Sequence, residues 1–403
     1  MKAAAPVLVA LLVLSLPAMA VVAAGPAADD TRALAQATVS DGLVEADGTT
    51  NRLTLEGDVH SGYLEPGTDL GATLGVRDDA LRADHARYTL ESEFDDLPAD
   101  ERREAIDTAY ELTSERIHAI EERERDAVRA HANGAITDEQ LLATLVRNYN
   151  AAAELDDVLE EVGDYADRTS GYDGAKIGHA EMTLEVFYGD VRGDLDAVAR
   201  GESVSTRDVV VDTSENGHSV AMIDGNTYVR ETTRFDNRQP AEPDGIGDID
   251  AADTRFQDEL YPWAFDNRVG GSQHNEAPTA QLYSARTSTP QGDLSAYLDG
   301  ATGAVYHEVQ SLSIDGLPVD SREETWTNDS LELSINETPV NGPIEVTVVD
   351  AETGEPVDAT IAADGYELGE TGDDGSMWLL TPAGGFELAA EADGNSLEVT
   401  VAE

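Results

Sequence analysis

Residues 97–168 read LPADERREAIDTAYELTSERIHAIEERERDAVRAHANGAITDEQLLATLVRNYNAAAELDDVLEEVGDYADR. Pro98 stands in the first turn of a helix, and Asp100 and Glu101 complement the positive end of its dipole. Ile106, Tyr110, Thr113, Ile117, Ile120 and Ala127 then recur, mostly at helical spacing, with Glu and Arg between them. Asn133-Gly134 supplies a left-handed stop. Thr137-Asp138-Glu139-Gln140 is a capping box with Ile136 placed as its staple, and a second stripe follows through Leu141, Leu145, Tyr149, Ala152, Leu159 and Val162. Two apolar stripes joined by a short connection predict a long antiparallel helical hairpin, each arm about 50 Å long. Glu124 and His131 fall on its seam. A plain coiled-coil arm is favoured there over a partner-docking helix pair.

Outward from this stretch, composition sets the solvent. The 403 residues hold 82 Asp+Glu against 25 Lys+Arg, a formal net charge of −57, and Lys2 and Lys176 are the only lysines. In dilute buffer such an excess destabilises compact states. At ~1 M salt the Debye length is about 3 Å, so repulsion among surface acids largely disappears. The acids also interleave with periodic apolar positions, which separates the chain from acidic disordered tails. The composition therefore fits a halophile's protein and argues against nucleic-acid binding, which needs a basic footprint. There is no cysteine, so disulfides, Cys-based zinc sites and thiol nucleophiles are excluded.

Met1-Lys2 precedes an apolar run from Ala3 to Ala24. It reads as a signal peptide over residues 1–24, cleaved after Ala20 or Ala24, or as an uncleaved anchor that would be the chain's one membrane contact. A mixed N-terminal region, 29–95, precedes the hairpin at 97–168. Residues 175–317 carry a short helix over Val191–Arg200 and strand patterns at Val209–Val211, Ser219–Ile223, Thr227–Thr232, Gln281–Arg286, Leu294–Leu298 and Ala304–Ser313. With Asp224-Gly225-Asn226 as a tight turn, they predict an α+β domain with an antiparallel sheet. Residues 318–342 read as a polar linker carrying two N-glycosylation acceptors, Asn328 and Asn336. Five short strand patterns between turns predict a small β-sandwich over 343–403. The expected fold class is thus multidomain α+β.

Two resemblances follow from particular residues. The run Val346 to Ala359 (VTVVDAETGEPVDA), with Asp373-Asp374-Gly375 and Pro382-Ala383-Gly384, resembles the carboxypeptidase-regulatory-like, or prealbumin-like, β-sandwich. That resemblance implies an accessory display module without catalytic residues. Gly189-Asp190-Val191-Arg192, Arg200-Gly201-Glu202, Asp212 to Gly217 (DTSENG) and Asp224 to Glu231 (DGNTYVRE) resemble an uncharacterised exported haloarchaeal protein family, which implies origin and compartment but no mechanism.

Chemistry is sparsely marked. His60, His85, His118, His131, His179, His218, His274 and His307 form no His-Glu-x-x-His or other close ligand pair, so each reads as a surface or seam residue. No Gly-x-Ser-x-Gly elbow or Walker loop appears. Asp244, Asp248, Asp250 and Asp253 make the best cation candidate, their hard oxygens suiting Ca²⁺, although the EF-hand spacing is absent. No other cofactor is indicated. Tyr261-Pro262-Trp263-Ala264-Phe265 reads as a core plug rather than a ligand ledge. These readings lean away from an enzyme and towards an exported or cell-surface protein with an interaction, adhesion or envelope accessory role. Its partners would be envelope or surface proteins. Two alternatives stay open: an extracellular hydrolase or its accessory subunit, and a membrane-anchored sensor ectodomain.

Overall fold

The computed structural model describes residues 42–68, 87, 88, 90, 94–202, 208–319 and 323–402. The signal segment with Ala20 and Ala24 lies outside them, as does most of the stretch 29–95. Among the described residues no helix is long and apolar enough to cross a membrane.

The helical periodicity produces two long helices, α1 (Ala99–Ala132) and α2 (Asp138–Asp167). Gly134 adopts φ +68° where α1 stops, and the Thr137 N–H donates to Gln140 Oε1 at 3.1 Å where α2 starts. Shorter helices α3 (Ala175–Leu184) and α4 (Asp190–Ala199) follow.

After a short ribbon of β1 (Leu43–Val44) and β2 (Arg52–Leu53), strand β3 (His60–Leu64) begins the main sheet. The sheet continues with β4 (Val209–Ser214), β5 (Gly217–Asp224), β6 (Thr227–Arg234), β7 (Gln273–Ala277), β8 (Leu282–Thr289), β9 (Gly292–Asp299) and β10 (Val305–Ser313). These form one eight-stranded sheet in the order β3-β4-β5-β6-β10-β9-β8-β7, antiparallel throughout.

Strand alternation gives this sheet two faces, and both are covered. On one, Val209, Val211, Val220, Met222 and Val229 pack against Val128 of α1, Leu141 and Leu145 of α2, and Leu195 of α4. Further along, Leu282 and Tyr297 join the core that holds Ile106, Ile120 and Leu155. The two long helices therefore lie on the sheet and do not stand out as a free coiled-coil arm. An apolar sheet face and an apolar helix stripe both need cover, and one packing event buries both. The expected segments 29–95, 97–168 and 175–317 accordingly share cores where they are described.

On the opposite face, Leu294, Ala296 and Leu298 pack against Leu43, Leu53, Tyr261 and Phe265. The aromatic cluster reaches this core through α5 (Ile249–Arg255), a π-helical turn at Phe256–Leu260 and α6 (Pro262–Asp266). Beside it, Val210, Ala221, Tyr228 and Leu312 receive Leu380 from the C-terminal domain.

That domain is a sandwich of two four-stranded sheets. One contains β11 (Glu323–Thr327), β12 (Leu331–Glu337), β13 (Ile344–Asp350) and β16 (Ser376–Leu379), and the other β14 (Thr360–Ala363), β15 (Tyr366–Glu370), β17 (Phe386–Ala392) and β18 (Asn395–Val401). Leu333, Ile335, Val346 and Val348 face Ile361, Leu388, Ala390 and Val399 across the core. The segment 318–342 is thus not a polar linker, since it supplies β11 and β12. Its outward Glu332, Ser334 and Asn336 alternate with buried Leu331, Leu333 and Ile335, so average polarity conceals a half-buried strand.

Candidate functional site

The faces of the main sheet hold two polar centres, built by the same alternation that builds the core. On the helix-covered face, β6 turns Glu231 and Thr233 inward, with His218 of β5 and His307 of β10 both paired with Thr233. α4 brings Arg192 to the same place from the other side. Its Nη1 and Nη2 donate to Glu124 of α1, at 2.8 Å each, and its Nε donates to Glu231 Oε1 at 2.7 Å. The Asn148 amide adds a donor to Glu124 at 2.9 Å, and His218 Nε2 lies 3.8 Å from Glu124 and 3.9 Å from Glu231. Gly189 permits this approach, because a Cβ there would sit 2.6 Å from Glu231 Oε2.

All these side chains are buried. Burial alone would push both glutamates up, but the Arg192 guanidinium outweighs it and holds Glu124 and Glu231 below the usual carboxylate range. Burial pushes His307 down to about 4, against the attraction of Glu231. A cavity of about 290 Å³ reaches this centre, lined among others by Glu121, Glu122, Glu124, Thr233 and Tyr306. Its three glutamates all stand on α1.

The opposite face carries Asp212 and Arg230, lining a cleft of about 360 Å³ between the sheet and the C-terminal sandwich. Arg230 Nε donates to Ser219 Oγ at 2.9 Å. Burial raises the Asp212 carboxyl, which accepts from Ser61 Oγ at 2.5 Å. Arg52, fully buried, donates through Nη1 to the carbonyls of Pro339 and Val340 at 2.9 and 2.7 Å, tying the N-terminal ribbon to the sandwich. Burial also raises Glu308, which accepts from the Leu53 N–H at 3.0 Å and from Tyr261 Oη at 2.6 Å.

The aspartates expected to bind Ca²⁺ serve locally instead. Asp244 accepts from the N–H groups of Ile246 and Gly247 and from Tyr283 Oη at 2.7 Å. Asp248 caps α5 through the Ala251 N–H, Asp250 lies in its first turn, and Asp253 accepts from Gln257 and lies 3.0 Å from His274 Nδ1. Turn and cap duties separate these carboxylates, and among the described residues they form no convergent ligand group. Among the described residues the one such group is His60, His131 and Asp138, whose ligand atoms lie within 4.8 Å of one another. His60 stands at the surface and His131 on the helix seam, and the fold brings them together with Asp138. The separation of His60 from the other two in sequence concealed the group, although the seam position of His131 was a signal for a buried partner.

Of the glycosylation candidates, Asn328 is exposed, with its side chain in a turn that accepts from the Ser330 and Leu331 N–H groups. Asn336 lies within β12 and donates to Glu345 across the strand pair. Sequence reasoning missed Arg192, Glu231, His218 and Arg230 as interior polar residues. They do fall in or beside the stretches that carried the haloarchaeal resemblance.

Three family models match the chain. Residues 322–399 match an archaeal fibronectin-III type-like domain, the description that replaces the prealbumin-like one for the C-terminal sandwich. Residues 209–318, from β4 past β10, match a family of unknown function, DUF7094. No curated protein and no solved structure matches. Residues 1–204, half of the chain, match the model described as a domain of unknown function, DUF7096, and the chain belongs to that family, as an archaeal protein with a C-terminal β-sandwich.

Proposed function

We propose that this chain is a non-enzymatic exported or cell-surface protein of a halophile, with an interaction, adhesion or envelope accessory role. The observation that carries the non-enzymatic reading is the Glu124–Arg192–Glu231 centre. One guanidinium holds both glutamates ionised, so neither offers a proton for general acid catalysis at neutral pH. Asp212, which burial does raise, is the lone acid lining the other cleft, without the second carboxylate a paired acid–base mechanism uses. The centre reads as an internal lock between α1, α4 and the sheet, which leaves the outer surfaces to meet partners. Those surfaces are the outward side of α1 and α2, acting as a long antiparallel hairpin, and the C-terminal sandwich.

Export is supported by the apolar run Ala3 to Ala24, and by the fibronectin-III type-like domain, a module common outside cells. The charge of −57 supports a medium of molar salt. Protease treatment of intact cells in molar salt, with N-terminal sequencing of the mature protein, tests the reading. The protein is expected to be cleaved from the cell surface and to begin after Ala20 or Ala24. Recovery of the intact chain from the cytoplasm overturns it, and a mature chain starting at Met1 favours an anchored ectodomain.

A further inference from the structure

We propose that His60, His131 and Asp138 bind a divalent transition-metal ion, Zn²⁺ by its chemistry. Their ligand atoms lie within 4.8 Å of one another, although the residues come from β3, the end of α1 and the start of α2. His131 is fully buried and held at both ends, with Nδ1 2.7 Å from Thr213 Oγ1 and Nε2 2.6 Å from Asp138 Oδ1. The His60 ring meets the His131 ring edge-on, with centroids 5.0 Å apart. Gly62 provides the clearance, since a Cβ there would stand 2.8 Å from Asp138 Oδ2. The strand beside His60 is therefore bare where the carboxylate needs to sit.

Two imidazoles and a carboxylate suit Zn²⁺ and its transition-metal neighbours, whereas Ca²⁺ and Mg²⁺ take oxygen ligands. Three protein ligands leave a fourth tetrahedral position for water. Bond lengths of 2.0–2.1 Å place tetrahedral ligand atoms about 3.3 Å apart. The Asp138 carboxylate must therefore withdraw slightly from His131, and the exposed His60 ring must close in. Both are free to do so, because the Asp138 side chain is 27% exposed while His131 stays fixed by Thr213.

Thr213 can serve either tautomer of His131. Without a metal, Asp138 accepts the Nε2 proton and Nδ1 accepts from the Thr213 hydroxyl. With a metal on Nε2, the ring carries its proton on Nδ1 and donates it to Thr213 Oγ1. The hydroxyl turns round and the imidazole stays neutral, the arrangement expected of an outer-shell partner.

The test uses the full-length chain in molar NaCl, stripped with EDTA and titrated with Co²⁺. Nitrogen-ligated four-coordinate Co²⁺ absorbs intensely in the visible, whereas Co²⁺ on surface carboxylates does not. One equivalent is expected to develop the bands, Zn²⁺ to abolish them, and excess Ca²⁺ to leave them unchanged. His60→Ala, at an exposed position, is expected to lose the bands with its circular dichroism intact. Thr213→Val is expected to weaken Zn²⁺ binding about 10–100-fold. Absence of visible bands in the wild type, or bands that survive in His60→Ala, overturns the proposal.

Discussion

Replacing Arg192 by Met removes the one cation between two buried carboxylates. The side chains of Glu124 and Glu231 are 3% and 2% exposed, so water can replace little of what the guanidinium supplies. Removing one partner of a buried ion pair costs about 3–5 kcal/mol, a large share of a typical folding stability of about 5–15 kcal/mol. With a urea slope of about 3 kcal/mol/M, the unfolding midpoint should fall by about 1–2 M. The pH dependence identifies the mechanism. In the wild type both glutamates have folded pKa values below the ordinary 4.5, so their contribution is complete above that pH and is lost as pH falls through the folded values. In Arg192→Met burial dominates and the folded values rise above 4.5. The deficit is then complete at neutral pH and shrinks on acidification, as the carboxyls take up protons. Urea titrations followed by circular dichroism in molar salt, at neutral and mildly acid pH, measure both effects. The triple variant Glu124→Leu/Arg192→Met/Glu231→Leu should recover most of the loss. A neutral-pH difference under about 1 kcal/mol, or a gap that widens in acid, would refute the reasoning.

Gly292→Ala should destabilise by more than about 2 kcal/mol, because Gly292 adopts φ +142° and a Cβ there would meet the Ser311 carbonyl oxygen at 2.0 Å; thermal unfolding measures it. His307 is buried neutral, so the wild type should lose up to about 3 kcal/mol as pH falls from 6.5 to about 4, and His307→Phe should lack that slope in urea titrations across the window. Leu380→Ala should weaken docking of the C-terminal sandwich onto Val210, Ala221 and Tyr228 while leaving the sandwich core intact, seen as a lower thermal unfolding midpoint with unchanged native circular dichroism. Dialysis to ~0.1 M salt should loosen the whole chain by restoring acid–acid repulsion, and sharp thermal unfolding retained there would contradict this.

Local signals carried much of the fold. The stripe from Ile106 to Val162 marks two helices around the Asn133-Gly134 stop, and the alternating runs near Val209, Ser219, Thr227, Leu294 and Val305 mark strands, with Asp224-Gly225-Asn226 turning between two of them. Local signals failed where a residue's role depends on distant chain. The outward polar residues of β12 disguise a strand as a linker, because an acid-rich protein gives its solvent faces the composition of a loop. Glu124 and His131 are visible as polar seam residues, but nothing near them in sequence names Arg192, 68 residues from Glu124, or Thr213, 82 residues from His131. Asp244 and Asp248 failed in the opposite sense. Their clustering looked like a cation site, whereas the backbone N–H groups a few residues on already use their oxygens.

The distribution of the few cations connects the interior to the medium. With 25 Lys+Arg against 82 Asp+Glu, the chain still places Arg52, Arg192, Arg230 and Arg234 in buried positions around the main sheet. Each is fixed by specific acceptors, as when Arg234 Nε meets Asp236 at 2.9 Å or Arg192 spans two glutamates. A Debye length of about 3 Å at ~1 M mutes charges that face water but reaches buried pairs far less. The two populations must then respond differently to salt. Total stability should climb with concentration as surface acids are screened, while the penalty of Arg192→Met stays constant across the same range. A penalty that faded with added salt would mean that ions reach the Glu124–Arg192–Glu231 centre, and that the helices do not seal the sheet face as their packing implies.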